Sequence, residues 1–330
     1  MITLTNPHAA SHSGRAQSFS QARLSSYRTF LGAVDDAQAL ALHEWNDELS
    51  VCLFRLLRKI EIVLRNQLHK ALSARYGALG GPGSKDWYAH VALSTSSMEK
   101  IRKITHLHQG TQHLPRVPPP SPDDVVSKLT FGFWPHLLDL ARDAQRRPVD
   151  WGSMLLDVLP GHRQRQASYW AKRKHQDALF ARLVLCNDLR NRIAHHEPIW
   201  KFGPLLKEAR SRLGSPVTHE APAPTSVPET LARLLLIYGR LTELLGWLSP
   251  ETAAHHAVSE LDQRCRTLMQ IEAVLAHQHA LQPATIDLAT VSNLRVLRKT
   301  LRHASRRQQP ALLKDGHRTL GNLTCQLLRE

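Results

Sequence analysis

Residues 36–76 read DAQALALHEWNDELSVCLFRLLRKIEIVLRNQLHKALSARY, and they decide the fold class of this chain. Apolar residues recur in this stretch at spacings of three and four, at Leu53, Leu56, Leu57, Ile60, Leu64 and Leu68. That period is typical of a helix with one face buried against a core. The stretch predicts two helices or one interrupted helix, which the glycines and proline of GALGGPGSKDW, residues 77–87, bring to an end.

Helical periodicity continues along the chain without a series of alternating strands. We predict helices at 97–109, from Val125 behind the cap SPDD, at 163–196, at 229–248 and throughout the region beyond Pro250. Aromatic residues can stack nucleic-acid bases, but Phe131, Phe133 and Trp134 are predicted to lie in the core. The predicted fold class is all-α, a helical bundle with a basic helical C-terminal extension.

The length and cysteine content indicate a protein that needs no disulfide stabilisation. Its 330 residues can bury a sizeable core in one large domain or two ordinary ones. Cys52, Cys186, Cys265 and Cys325 lie far apart and form no CxxC pair, so neither a disulfide framework nor a zinc ribbon is expected. The sequence contains no export signal and no apolar run of membrane-spanning length. A cytoplasmic protein without a membrane partner is expected.

The formal net charge is +15, from 43 Lys and Arg against 28 Asp and Glu. Such a balance draws a protein towards polyanions, of which nucleic acid is the commonest for a soluble chain. Solubility alone also explains a basic surface, so the charge supports RNA binding without establishing it. The basic stretch NLRVLRKTLRHASRRQQ, residues 293–309, is accordingly either a solvated helix face or an RNA-contacting surface.

Residues 187–200, NDLRNRIAHHEPIW, bring polar side chains into an apolar helical pattern. On an ideal helix, one stripe combines Arg190 with the apolar residues Leu179, Leu183, Cys186 and Ile193. A second face carries Asp188, Asn191 and His195. A charge in an apolar stripe is costly unless an anion or a partner meets it. Arg190 and His195 diverge by about 140°, so a site using both needs the helix to loosen near Pro198, or a second copy of the segment. Two antiparallel copies would place the arginine of each beside the histidine of the other and would bury the apolar stripe between them.

These residue types suit the cleavage of RNA by its own 2′-hydroxyl group. Histidine can take or return a proton near neutral pH, and arginine keeps its charge and matches phosphate geometry. Asparagine can orient either group without adding charge. Spacing alone does not establish a site, because Arg and His also interact favourably with the dipole of a helix end. A similar spacing recurs between Arg102 and His108 and between Arg298 and His303.

Groups of histidines elsewhere invite a metal-binding interpretation. They occur as AHH at 194–196 and 254–256, HLH at 106–108 and HQH at 277–279. The chain has no HExxH motif, and HHEPIW has a proline where a second ligand would need a helix. GALGGPG lacks the Lys and the Ser or Thr of a phosphate-binding loop. No metal and no cofactor are expected, and the proposed RNA chemistry requires neither.

The cluster resembles a known motif. LRNRIAHHEPIW, residues 189–200, is similar to the RNxxxH signature of the HEPN superfamily, in the form carried by the Abi-like (abortive infection) proteins of bacteria. Further stretches agree in order with segments of Abi-like proteins: ARLSSYRTFL, LHEWNDELS, LRKIEIVLRNQL, SKLTFGFWPHLL and LLGWLSPE. The resemblance runs from about residue 20 to residue 252. It implies an all-helical HEPN-type bundle that usually dimerises, so that two motifs share one cleft.

The resemblance also implies an activity. Active relatives are metal-independent endoribonucleases expected to leave a 2′,3′-cyclic phosphate, and many act as toxins or antiphage effectors. Carried onto this chain, Arg190 binds phosphate and stabilises the transition state, and His195 transfers protons. Asn191 orients the phosphate or the histidine. His196 is a candidate helper, because Abi-like members often have a second histidine there.

Four further residues are candidates for supporting roles. Asp188 or Glu197 would balance the arginine charges where two copies meet. Glu61 and Arg65, in EIVLRNQLH, either brace the site from a neighbouring helix or form an ordinary pair at i and i+4.

We predict three parts in the chain: a flexible N-terminal arm over residues 1–22, an Abi-like HEPN domain over 23–252 and a basic helical C-terminal extension over 253–330. The expected partners are RNA, a second copy of the chain, and an antitoxin protein or small RNA as an inhibitor. Two non-enzymatic alternatives stay open. One is a helical protein that binds RNA or a partner and only holds phosphate, and the other is a structural dimer with Arg190 buried in an ion pair.

Overall fold

The computed structural model describes residues 14–109, 112–210, 218–278, 284–290, 293–306 and 311–323. Helices dominate these residues and the strands are few and short, which confirms the all-α class. No helix in these ranges is both long and apolar enough to cross a membrane. Cys52, Cys186 and Cys265 are buried as thiols, and Cys325 lies outside the described residues.

The α-helices are α1 (Gln21–Thr29), α2 (Asp36–Tyr76), α3 (Thr95–Thr105), α4 (Pro122–Lys128), α5 (Trp151–Val158), α6 (Ala167–Trp170), α7 (Arg173–Ala194), α8 (Val227–Leu248), α9 (Pro250–Ala257), α10 (Glu260–Leu268), α11 (Ile271–Gln278) and α12 (Leu294–Arg306). Residues 14–19 are helical as well. Short 3₁₀ helices cover Gly77–Gly80, Trp87–Ala89, Phe131–Phe133, Pro135–Asp139 and Leu288–Thr290. The strands are β1 (His106–Gln109), β2 (Gln112–Pro115), β3 (Leu205–Leu206), β4 (His219–Ala221), β5 (Ala284–Asp287), β6 (Ala311–Asp315) and β7 (Arg318–Leu323).

Helix α2 is one uninterrupted helix of 41 residues, not two helices or an interrupted one. It contains no glycine or proline that would break it. Its predicted apolar face is buried, with exposures of 3% or less at Leu53, Leu56, Leu57, Ile60, Leu64 and Leu68. The helix ends where predicted, at the glycine that follows Tyr76.

The chain forms two compact units that are not contiguous in sequence. One unit contains residues 1–52, 224–235 and 260–330, and the other contains residues 53–223 and 236–259. Helices α2 and α8 therefore contribute residues to both units. The predicted division at residues 22 and 252 stays a prediction. Of the predicted arm, residues 1–13 lie outside the described residues.

The described part of that arm is helical at residues 14–19. Ala16 is buried, and Arg15 forms an ion pair with Glu44 at 2.6 Å. The ion pair attaches this part of the arm to α2.

In the first unit, the region beyond Pro250 is not wholly helical as predicted. Strands β5 and β6 pair in parallel, and β7 adds to β6 in antiparallel fashion. The turn between β6 and β7 contains Gly316 at a φ of 56°, and its amide donates to Asp287 Oδ1 at 2.9 Å. An Asp-Gly turn between apolar stretches is typical of a β-hairpin. The prediction of helix is therefore wrong for these strands. Helix α12 connects β5 to β6.

In the second unit, α7 packs against α6 and against the 3₁₀ helices of residues 131–139. The predicted core residues Phe131, Phe133 and Trp134 are buried there, with exposures of 1%, 0% and 0%. The helix predicted over 163–196 is divided into α6 and α7.

Two other predicted boundaries in this unit are corrected. The helix predicted at 97–109 is Thr95–Thr105, because Ser94 caps it and residues 106–109 pair with β2 instead. Ser121 of the predicted cap accepts from the Asp124 amide at 3.1 Å, so α4 begins at Pro122.

Candidate active site

Helix α7 ends in a Schellman motif, in which backbone amides satisfy the last helical carbonyls. The amide of His196 donates to the Ile193 carbonyl at 3.0 Å, and that of Glu197 donates to the Arg192 carbonyl at 2.9 Å. His196 has a φ of 56°, in the left-handed region that favours glycine. Pro198 follows and cannot continue the helix. The predicted motif therefore lies at a well-defined helix end.

Arg190 lies in the last turns of α7 and is half-buried. Its Nη1 atom donates to Asn191 Oδ1 at 3.3 Å. Among the described residues, no carboxylate oxygen lies within 4.0 Å of its guanidinium. A half-buried cation that forms no ion pair with a carboxylate is a favourable place for an external anion.

Arg182, two turns earlier on the same helix, shows the opposite arrangement. Both oxygens of Glu208 accept from it, with 2.7 Å from Nη2 to Oε2, and Nη1 donates to Glu243 at 2.8 Å. Burial opposes the charge of this guanidinium, yet the two carboxylates raise its pKa. The fold thus neutralises the buried Arg182 with two ion pairs, whereas among the residues described no carboxylate lies within ion-pair distance of Arg190.

Helix α2 brings Glu61 and Arg65, both half-buried, into the electrostatic surroundings of Arg190. Burial raises the pKa of Glu61, and the charges of Arg190 and then Arg65 oppose that rise. Arg65 donates to the Ser127 carbonyl at 3.2 Å. In the described part of the chain no ion pair joins Glu61 to Arg65. Since the charges of both Arg190 and Arg65 act on Glu61, the bracing role and the ordinary pair at i and i+4 both stay predictions.

The other two predicted acids do not meet Arg190 within one chain. Glu197 lies 3.5 Å from the Nε atom of Arg192, across the Schellman turn. Asp188 is exposed when the whole residue is considered. Partial burial of its carboxyl group nevertheless raises the pKa of that group, and a hydrogen bond from Asn187 opposes the rise. Their predicted role as counter-charges to Arg190 therefore concerns only a second copy of the chain.

His195 is exposed at the C-cap of α7. Its amide still donates to the Asn191 carbonyl at 2.9 Å, so the helix does not loosen before this residue. Because the helix is regular, Arg190 and His195 keep their divergence of about 140°. The structure brings Arg190, Asn191 and Glu61 together and leaves the imidazole on another side of α7. The predicted loosening of the helix is therefore not seen up to His195, and a site shared with a second copy stays a prediction.

The apolar stripe of α7 is buried inside the chain, with exposures of 4% at Leu179, 1% at Leu183 and 0% at Cys186. Burial also raises the pKa of the Cys186 thiol to about 12. The expectation that these three residues are buried between two copies is therefore wrong, since the core of their own unit already covers them. Ile193, at the end of the stripe, stays half-buried.

A family comparison covers the elements that build this site. The family model of the Abi-like proteins matches residues 13–201. The chain belongs to the Abi-like protein family. The matched range contains every predicted site residue, from Glu61 to Glu197. It ends at residue 201, whereas the resemblance in the sequence was expected to continue to about residue 252. No curated protein and no solved structure matches the chain.

The histidines outside the Abi-like motif have separate structural contacts. His108 and His113 meet edge to face across β1 and β2, with ring centroids 4.9 Å apart. His256 lies 3.0 Å from the Tyr238 hydroxyl, and His277 Nδ1 lies 2.7 Å from the Ala273 carbonyl oxygen. Within the ranges that the structure describes, no three His, Cys, Asp or Glu side chains are grouped to hold a metal ion.

A surface cleft of about 370 Å³ lies at helix α3, and no sequence pattern predicted it. Its lining is partly basic and consists of Thr95, Met98, Glu99, Arg102, Lys103 and His113. Arg102 and His108 had matched the spacing of the motif, but Arg102 faces this cleft with His113 instead. None of the predicted site residues lines it.

Proposed function

We propose that this Abi-like protein is a metal-independent endoribonuclease with a HEPN-type site. The observation that carries the proposal is the half-buried Arg190, which has no carboxylate partner among the described residues although Arg182 on the same helix has two. A planar guanidinium with free donors matches the oxygens of a phosphodiester. A structural ion pair at Arg190 is disfavoured by the same observation.

The proposed reaction uses the RNA's own 2′-hydroxyl as the nucleophile. His195 accepts the hydroxyl proton while the 2′-oxygen attacks phosphorus, and the bond from phosphorus to the 5′-oxygen breaks. His196, the candidate helper, returns a proton to the leaving 5′-oxygen. Arg190 stabilises the negative charge that builds on the phosphate, and Asn191 orients it. The products are a 2′,3′-cyclic phosphate and a 5′-hydroxyl end.

The proposal includes a homodimer. Since α7 stays helical to Ala194, one chain presents Arg190 and His195 in divergent directions. A twofold axis beside the end of α7 would place the arginine of one copy near the histidine of the other. The dimer surface would then involve the half-buried and exposed residues at the end of α7, such as Asn191 and Ile193, in place of its buried stripe.

The biological role that we propose follows from the family. An Abi-like endoribonuclease would act in the cytoplasm as a toxin or abortive-infection effector, and an antitoxin protein or small RNA would restrain it. A second candidate function is phosphate binding without cleavage. The divergence of Arg190 and His195 within one chain favours that alternative if the protein acts as a monomer.

Incubating purified protein with labelled RNA in EDTA tests the proposal. We expect cleavage that leaves 2′,3′-cyclic phosphate ends, and a loss of at least 100-fold in His195→Ala and Arg190→Ala, because proton transfer alone is worth about 10²–10⁴-fold. His255→Ala is the matched control, since it removes an exposed histidine from the second AHH segment. Arg163→Ala removes an exposed arginine.

Full cleavage by His195→Ala in a preparation free of other nucleases would contradict the assignment. His196→Ala is expected to be milder than His195→Ala. Absence of cleavage together with filter binding of the same RNA would support the binding function.

A further inference from the structure

Helix α12 carries a row of four basic side chains, which we name the basic row: Arg295, Arg298, Lys299 and Arg302. Their spacing of three, four and seven residues places them within about 100° on one side of the helix. All four are exposed. The row extends over about 10 Å along the helix axis. The family match ends at residue 201, so this feature lies outside the range that defines the chain as Abi-like.

The basic row has no acidic compensation in the described residues. Helix α12 contains no Asp or Glu, and in the part of the chain that the structure describes no carboxylate oxygen lies within 4.0 Å of the four side chains. Elsewhere in the same unit, arginines do find acids. Arg264 pairs with Glu48, and Arg15 pairs with Glu44. Four adjacent cations without partners create a local positive potential that attracts a polyanion.

The apolar side of α12 is already occupied. Leu297 and Leu301 pack against the buried Ile286 of β5, together with Leu288 and Leu313. On an ideal helix these two leucines point about 130° away from the centre of the basic row. The sheet therefore fixes α12 with the basic row directed to solvent.

This anchoring distinguishes a nucleic-acid surface from a membrane surface. A helix that lies on a membrane needs a continuous free apolar face. The exposed apolar residues Leu294 and Val296 diverge by about 160° on α12 and form no such face. A stacked nucleic-acid strand instead carries about one phosphate per 3.4 Å, so the row can face about three phosphates.

We propose that the basic row binds the phosphate backbone of RNA and supplies a sequence-independent contact for the substrate. This proposal depends on the proposed function in one respect, namely that the substrate is RNA. Contacts of this kind contribute affinity through released counterions and do not read bases. Removing them should weaken the binding of all RNA sequences alike.

The test measures RNA binding, not cleavage, so that it does not depend on the catalytic assignment. In a full-length Arg190→Ala background, the basic row is changed to glutamine in a quadruple variant. A matched control carries Arg116→Gln, Arg163→Gln, Lys172→Gln and Lys174→Gln, which also remove four exposed positive charges. A third variant, with Arg295→Lys, Arg298→Lys and Arg302→Lys, keeps the charge. Filter binding of a labelled single-stranded RNA is measured from 50 to 200 mM salt.

We expect the quadruple variant to bind RNA at least 10-fold more weakly at 50 mM salt. The slope of log affinity against log salt should fall in magnitude by about 2 to 3, since each phosphate contact on a single strand contributes about 0.7. The lysine variant should keep the slope. In the matched control, the fall in slope should be less than half of the fall in the quadruple variant.

Equal losses in the quadruple variant and the matched control would overturn the proposal, since net charge would then explain both. Unchanged RNA binding together with lost binding to phosphatidylserine vesicles would overturn it in favour of a membrane surface. If the wild-type chain does not cleave RNA but the slope still falls in the quadruple variant and not in the matched control, the basic row binds RNA as proposed. The proposed catalytic function would then fail. Circular dichroism confirms that each variant is folded.

Discussion

His196 adopts a backbone conformation that L-residues avoid, since its φ is 56° at the C-terminal turn of α7. Side chains other than glycine pay about 1–2 kcal/mol in the left-handed region because Cβ approaches the following carbonyl. We expect His196→Gly to raise the free energy of unfolding by about 0.5–1 kcal/mol, after the greater entropy of glycine in the unfolded chain is included. Denaturant titration measures the change.

The companion variant is His196→Asn, because asparagine tolerates this conformation better than most residues. It should fall between histidine and glycine in stability. A fall in stability in both variants would contradict the account and would mean that the imidazole contacts outweigh the backbone cost.

We expect the contact between α11 and α2 to make the stability of the first unit depend on pH. His277 Nε2 lies 3.7 Å from Glu48 Oε1. Burial alone would lower the pKa of His277, but the bonds to Glu48 and to the Ala273 carbonyl raise it. The folded-state pKa lies above the unfolded value, so the stabilisation is complete below the unfolded pKa, near 6.5, and disappears as pH rises through the folded value.

We therefore expect His277→Gln to lose up to about 1 kcal/mol of unfolding free energy at pH 6, as partly exposed ion pairs do. The difference from the wild type should shrink as pH rises to 8. Urea titrations across this range measure it, with His255→Gln as a control at an exposed histidine. A difference that stayed constant with pH would show that His277 acts only by packing.

Helices were the most predictable elements. The leucine period of α2 and the cap at Ser121 are local signals, and both predict helix correctly. The sheet of β5, β6 and β7 was missed because each strand has only 4 to 6 residues and because β5 pairs with β6 across the connection that contains α12. The Asp-Gly pair at residues 315 and 316 was the available signal.

The site was predictable in its residue types but not in its surroundings. Arg190 and His195 stood out because polar residues interrupt an apolar period. The neutralisation of Arg182 depends on carboxylates 26 and 61 residues away, which no local pattern could indicate. The Schellman turn was hidden because a histidine, not a glycine, occupies its left-handed position.

At the scale of the whole molecule, an unrestrained endoribonuclease should slow growth. We expect induction of the wild-type chain in bacteria to arrest growth, because RNA needed for protein synthesis is lost. The Arg190→Ala chain at equal abundance should be harmless, and Arg163→Ala should behave like the wild type. Growth curves with immunoblots measure this. If induction is harmless even during phage infection, the toxin role is wrong.

In the proposed dimer, each cleavage site combines Arg190 of one chain with His195 of the other. Mixing the Arg190→Ala chain with the His195→Ala chain, under conditions of subunit exchange, tests this shared site. Each mixed dimer would hold one intact pairing, and random exchange makes half of the dimers mixed, so about a quarter of wild-type cleavage should return. An Arg190→Ala/His195→Ala double variant mixed with wild type should instead reduce cleavage by about half, since its mixed dimers hold no intact pairing. Recovery in the first mixture is the predicted result, whereas no recovery despite exchange confirmed by mass spectrometry would contradict the shared site.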